Sequence, residues 1–333
     1  MPMDDLRTRK ERGSATRGLL SLSLLLIALP GVVQSQEPPA SQNPYEDRYT
    51  IKVNVDSVVL HPAVQDTKGV LVSGLGKNDF QVYEDGVLQQ IKYFGHEDIP
   101  ATVGLIVDNS GSMAGKRSEV IVASVAFARS SNPEDQMFVI IFNEGVYFGL
   151  PDGTPFTDNA ESLENALSRI ASDGMTALYD AVAAGLEHLK KGDRDKKVLI
   201  VISDGSDNAS KSKLPEIMTM AGQSNAIVYT TGLFDLNDPD RNPRVLRQLA
   251  RATGGEAFFP SHVGEIIPIL EQIAHDIRNQ YTIVYSPTNQ KQDGTYRTLR
   301  VKAAAPGRGR LSVRTRAGYY APGNSEPVPG SKP

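Results

Sequence analysis

The sequence predicts an α/β fold: a doubly wound, mostly parallel sheet inserted between two all-β segments that pair into one sandwich. Three observations predict it. Apolar runs at 102–107, 138–142, 198–202 and 226–231 alternate with stretches whose apolar residues recur every three or four positions. That is the pattern of strands buried on both faces and separated by helices. On either side the chain alternates with period two, through Ile51, Val53 and Val55 before and Tyr281, Ile283 and Tyr285 after, which marks half-buried strands. Each flank also carries an Asp-Gly pair between apolar runs, Asp85-Gly86 and Asp293-Gly294, a hairpin signal.

The elements follow in order. Residues 1–35 read as a signal peptide: Arg7, Arg9, Lys10, Arg12 and Arg17 precede an apolar core at 19–29, and Val33-Gln34-Ser35 stands before a cut at Gln36. The core falls short of the ~20 residues of a spanning helix, and Pro30-Gly31 interrupts it; membrane contact is expected only if this segment stays uncleaved. Residues 36–48 are a Pro/Gln/Ser-rich flexible leader. The first β segment is 49–98, with strands at 49–60, 80–83 and 87–94. In the α/β domain, 99–280, helices are marked by Val122, Val125 and Ala126, by Leu163, Ala166, Leu167 and Ile170, and by Leu178, Ala181, Val182, Leu186 and Leu189. Further helices fall at 214–221 and 245–252, and the last carries Ile266, Ile269, Leu270 and Ile273; 146–150 reads as an antiparallel edge strand. The second β segment is 281–320, and 321–333 is a Pro/Gly/Ser tail expected to be disordered. Each β segment is too small to hold a core alone, so the layout is a Rossmann-like domain set into an immunoglobulin-like sandwich built from both flanks.

Composition narrows the functions. The 333-residue chain has a formal net charge of −4, which argues against nucleic acid as the main partner. It has no cysteine, so disulfides, zinc–cysteine sites, a cysteine nucleophile and a lipidated-cysteine anchor are excluded. An exported protein, secreted or periplasmic, is then held together by its cores alone. The run 297–316 is basic, with Arg297, Arg300, Lys302, Arg308, Arg310, Arg314 and Arg316 and no acid between; it reads as an outward strand face whose charges discourage edge pairing.

The chemistry gathers at strand ends. The first buried run ends in Asp108, Ser110 and Ser112 at alternate positions, and a later one ends in Ser203-Asp204-Gly205. Carboxyl ends of parallel strands share one edge, where open α/β sheets place ligands. Thr176 opens a helix-patterned run between them, so Asp108, Ser110, Ser112, Thr176 and Asp204 can converge. Their hard oxygens suit Mg²⁺, Mn²⁺ or Ca²⁺. A phosphoaspartate enzyme needs a second carboxylate where Ser110 stands, and a serine hydrolase needs a histidine beside its nucleophile. Neither is offered here, since His188 and His275 read as surface helix positions. Catalysis therefore ranks below binding, and a structural envelope scaffold with a vestigial metal site is the other alternative.

At these residues the sequence resembles the von Willebrand factor type A domain, whose metal-ion-dependent adhesion site uses Asp-x-Ser-x-Ser with a separate Thr and a separate Asp. Asp135-Gln136, Leu249-Ala250 and Thr253-Gly254-Gly255 agree with it, and the resemblance covers residues 99–280. The layout also looks like that of a bacterial group of secreted type A proteins, with Phe-x-Val-Tyr-Glu-Asp-Gly at 80–86 and a closing Gly-Tyr-Tyr. The resemblance implies that Ser110, Ser112 and Thr176 ligate a divalent cation directly while Asp108 and Asp204 act mainly through water. It also implies a protein partner that presents an Asp or Glu. The acidic loop 235–240, with Asp235, Asp238 and Asp240, follows a strand onto the same edge and is a candidate specificity rim or weak second Ca²⁺ site. Asp207-Asn208 reads as a helix-start cap.

Overall fold

The computed structural model describes residues 57–168, 173–234 and 241–323. The signal peptide, the leader, the strand expected through 49–56, Ile170, the rim residues Asp235, Asp238 and Asp240, and the tail from 324 lie outside them.

The amino-terminal flank supplies β1 (Val58–Leu60), β2 (Ala63–Gln65), β3 (Phe80–Glu84), β4 (Val87–Gln89) and β5 (Ile91–Gly95). The central domain then runs β6 (Ala101–Asp108), α1 (Arg117–Ser130), β7 (Gln136–Phe142), β8 (Val146–Phe148), α2 (Ala160–Ser168), α3 (Leu178–Leu189), β9 (Lys196–Ser203), α4 (Leu214–Gln223), β10 (Ala226–Gly232), α5 (Pro243–Thr253), β11 (Ala257–Phe258) and α6 (Ile266–Arg278). The carboxyl-terminal flank adds β12 (Thr282–Tyr285), β13 (Tyr296–Ala303), β14 (Ser312–Arg314) and β15 (Gly318–Tyr320).

The central sheet has the order β11-β10-β9-β6-β7-β8, parallel throughout except for the antiparallel edge strand β8. Helix α1 packs against α2 and α6, while α4 packs against α3 and α5, giving two helix layers. All eight residues of β6 are buried, because neighbouring strands and both helix layers enclose it. Burying each of its large aliphatic side chains contributes about 1.5–3 kcal/mol. Gly104 is required by packing rather than by a turn. A Cβ there would come within 2.7 Å of Leu199 and nearer still to the Phe138 ring. On α1 the inward face differs in part from the one the spacing suggested. Val125 is buried as expected, together with Val120, Ala123 and Phe127, while Ala126 is half-buried and Val122 is 55% exposed.

The two flanks interleave. β12 of the carboxyl-terminal flank lies between β1 and β5, and β13 of the same flank lies between β15 and the amino-terminal β3. A short further pair joins β14 to β2. Val58, Leu60, Phe80, Val82, Tyr281, Ile283 and Val301 share one core. Inside it Glu84 accepts bonds from Tyr285 Oη (2.6 Å), Tyr319 Oη (2.9 Å) and Arg297 Nη1 (3.2 Å). Pairing continues past Tyr320: Ala321 N donates to Thr295 O at 2.9 Å, and Gly323 bridges to Asp293, so the first three residues of the expected tail are bonded.

The basic run is not simply an outward face. Arg300, Lys302, Arg308 and Arg310 are exposed, but Arg297 is buried on Glu84. Arg314 pairs with Asp276 and Glu256 of the central domain, and Arg316 reaches Asn225. Alternation sends every second side chain of a strand inward, whatever its charge.

Candidate metal centre

β6 and β9 run side by side in register, with Val107 beside Ile202. Asp108 therefore ends one strand next to Ser203, and Asp204 follows at once. Gly205 turns the chain there with φ +80°, and a Cβ on it would stand 2.5 Å from Asn242 O, so this position requires glycine. After Asp108 the chain enters a 3₁₀ turn at Gly111–Lys116, with Met113 as its buried anchor. Three loops then fasten to one another through backbone bonds. Gly111 N donates to Gly174 O (3.2 Å), Asp173 N to Asn109 O (3.1 Å), and Asn208 N and Ala209 N to Thr176 O (2.9 and 3.0 Å).

Side chains close the cluster. Ser112 Oγ donates to Asp204 Oδ2 at 2.6 Å and lies 3.2 Å from Ser110 Oγ. Asp108 accepts from Ser110 N (2.9 Å) and Ser203 Oγ (2.6 Å). Asp108, Ser110, Thr176 and Asp204 are buried, and Ser112 is exposed. Thr176 is held through its backbone, whose N–H donates to Asn208 Oδ1 at 2.8 Å. Burial is the main cause that pushes the Asp108 carboxyl up to about 6; hydrogen bonds from Ser110 and Ser203 oppose it, and the Asp204 charge adds to it.

A hard divalent cation fits this donor set, since two enclosed carboxylates and the Ser110 and Ser112 hydroxyls supply oxygen alone, with Thr176 on a loop bonded to theirs, and the paired acids lack a cationic side chain in their bonds. Asp108, Ser110, Ser112, Thr176 and Asp204 are the residues that could hold it. Among the described residues no group of three or more His, Cys, Asp or Glu is placed to bind a metal; this cluster has two acids and relies on hydroxyls.

The sequence missed part of the support. Ser203 was visible beside Asp204, but its bond to Asp108 was not. Asp207 does cap a helix, though not the one that follows it: its Oδ1 accepts from Tyr179 N at 3.1 Å at the start of α3, while Asn208 holds Thr176 N ahead of that helix. The histidines lie elsewhere. His61 contacts Thr282, His96 stacks on Tyr281, His262 pairs with Glu265, and His275 is exposed on α6. His188 is corrected from surface to interior: it is 8% exposed, bonds Pro155 O at 2.9 Å and packs on Phe138 and Phe156.

Comparison with known proteins finds likenesses over the same part of the chain. Residues 103–206 match the family model for the von Willebrand factor type A domain. An uncharacterized protein of Synechocystis sp. is 22% identical over 184 residues, covering 54% of this chain and 42% of its own. Inter-alpha-trypsin inhibitor heavy chain H3 of Mesocricetus auratus is 26% identical over 130 residues, 36% of this chain and 14% of its own. This chain thus spans less than half the length of either relative. A solved von Willebrand factor type A structure from Catenulispora acidiphila aligns over 74% of both chains with 15% identity and a TM-score of 0.49. The matched stretch, residues 103–206, runs from the central strand to just past Asp204, so the segment that carries these oxygens is a von Willebrand factor type A domain.

Proposed function

We propose that this is an exported, metal-dependent protein-binding module, secreted or periplasmic, that captures an acidic side chain of a partner protein. Type A domains mediate protein interactions, often through a metal. The observation that carries the reading is the bond of Ser112 to Asp204 across two loops, beside Ser110 and Asp108, at the carboxyl edge of the sheet. Ser110, Ser112 and Thr176 would hold Mg²⁺ or Mn²⁺ directly, with Asp108 and Asp204 acting mainly through water. Neutral hydroxyls leave the charge of such a cation under-compensated, so it supplies an open position for an incoming carboxylate. The chain's own part is to fix the oxygens, keep the two acids out of bulk water and present Ser112 at the exposed rim. Residues 99–280 form the binding domain in this reading. The flanks, 49–98 and 281–320, form an immunoglobulin-like platform behind it, and Asp235, Asp238 and Asp240 are proposed as a rim that selects the partner. Among the described residues no helix is long and apolar enough to cross a membrane.

The test is calorimetry with Mn²⁺ on the mature chain, paired with capture from envelope extract in Mn²⁺ or excess chelator. The native chain is expected to bind one Mn²⁺ and to release its partner in chelator, while Ser112→Ala weakens metal binding at least about tenfold. No heat of binding at millimolar Mn²⁺, with thermal stability unchanged, would leave a scaffold with a vestigial site in its place.

A further inference from the structure

At the opposite edge of the central sheet, beside Asn225 where β10 begins, the β unit holds a cavity of about 210 Å³. Val58, Val59, Asn225, Arg316, Tyr319 and Tyr320 are among its walls. Two guanidiniums line it, and their partners differ. Arg297 pairs with Glu84, which the hydroxyls of Tyr285 and Tyr319 also reach. Arg316 has only neutral partners: Nη1 donates to Asn225 Oδ1 (2.8 Å), Nη2 to Val59 O (3.3 Å), and the guanidinium stands 5.3 Å from the centre of the Tyr319 ring. Its Nε is enclosed without a hydrogen-bond partner, and among the described residues no carboxylate pairs with it. Burial lowers its pKa, as expected of a charge taken from water without a counter-ion. A lone guanidinium is costly to enclose unless an anion completes it.

We propose that this cavity binds a small organic monocarboxylate, with its carboxylate on the Arg316 guanidinium and its apolar body against Val58 and the Tyr320 ring. Size and charge select this class. The cavity is smaller than the ~300–1,000 Å³ of drug-sized pockets. One guanidinium without a carboxylate partner matches one carboxylate; Lys291 also lines the cavity, so phosphate is the competing anion to be tested. A free acid and a Glu side chain of a peptide share this chemistry, and the two sources are separated by the probe.

The experiment titrates the mature chain with benzoate, inorganic phosphate or an end-blocked Glu-containing tripeptide, always in excess chelator, so that its outcome is independent of the metal reading. Benzoate is expected to move amide resonances at residues 58–59, 225 and 316–322, and Arg316→Gln to weaken its binding at least about tenfold. Mapping on the native chain needs no variant, so it stands even if Arg316→Gln does not fold. Comparable binding of the tripeptide supports the site and assigns its carboxylate to a protein. Absent or misplaced shifts at millimolar benzoate, phosphate binding as tight as benzoate, or unchanged affinity in a folded Arg316→Gln would each overturn the proposal.

Discussion

Lys196 has no exposed surface, and its Nζ donates to Ile277 O at 2.8 Å. Burial brings its pKa down to about 8, against the pull of the Asp98, Asp135 and Asp276 carboxylates. Between about pH 8 and 10.5 the unfolded chain keeps this proton and the folded chain does not, so raising pH through that window stabilises the fold. Falling pH removes the contribution as it passes the folded value. A shift of that size is worth up to about 3 kcal/mol. Urea denaturation at pH 7 to 10.5 should show native stability rising relative to Lys196→Met; parallel curves would mean the ammonium is not desolvated as the structure places it. Asp108 shows the same physics at the candidate metal centre, where enclosure raises a carboxyl that only two hydroxyls and a backbone N–H steady. Its place at the carboxyl edge of the sheet, beside Ser110 and near Asp204, was legible because acid and hydroxyl residues stood at alternate positions after an apolar run. The burial of His188 was not, since a histidine near the end of an amphipathic helix looks alike whether it faces water or a phenylalanine pocket.

The start of α3 joins the candidate centre to its surroundings. Ala177 supplies no side-chain cap there, so the orphan N–H groups of the first turn are satisfied from another loop. Asp207 accepts from Tyr179 N, Ser210 Oγ accepts from Asp180 N, and Asp180 in turn accepts from the backbone of Lys211 and Ser212. Asn208 holds Thr176 N in the same exchange. Losing the Asp207 cap, or the Asn208 bond to Thr176 N, should cost about 1 kcal/mol of stability. The functional effects should divide: Asn208→Ala is expected to weaken Mn²⁺ binding as well, because it frees the backbone that presents Thr176, whereas Asp207→Ala changes stability alone. Denaturation and calorimetry on both variants check this, and equal metal affinities would detach Thr176 from the centre. Strands and helices were readable here because apolar period is a local property. The cap was not, because its donor and acceptors lie about thirty residues apart and only the sheet register brings them together.

In one flanking sheet β12 of the carboxyl-terminal segment lies between β1 and β5, and in the other β13 pairs with β3 of the amino-terminal segment, so neither flank completes the β unit alone. That pairing was inferable from the small size of each segment; the fastening of the unit to the central domain was not. Arginines at 314 and 316 read as solvated charge because nothing in a single strand says which alternate face meets another domain. In the structure Arg314 ion-pairs with Asp276 on α6 and, less enclosed, with Glu256, while Tyr229 Oη donates to Asp276 at 2.5 Å and Gln280 Nε2 to Tyr229 Oη at 2.9 Å. Asp276 is 4% exposed. Removing its cation leaves an enclosed carboxylate with one phenol donor, which by analogy with other buried pairs costs about 3–5 kcal/mol. Glu256 adds little, since it lies nearer solvent. Arg314→Ala should therefore lower stability by several kcal/mol, and the Arg314→Ala/Asp276→Ala pair should lose less than the two single variants summed. The measurement is urea denaturation of all four chains with the slope compared throughout. A steeper loss with an unchanged slope places the cost in the folded interface. A broadened or split transition in Arg314→Ala would show that this ion pair keeps the β unit and the α/β domain unfolding together. A single variant within about 1 kcal/mol of the native chain would instead mean that the apolar contacts around Tyr281 hold the two parts together without it.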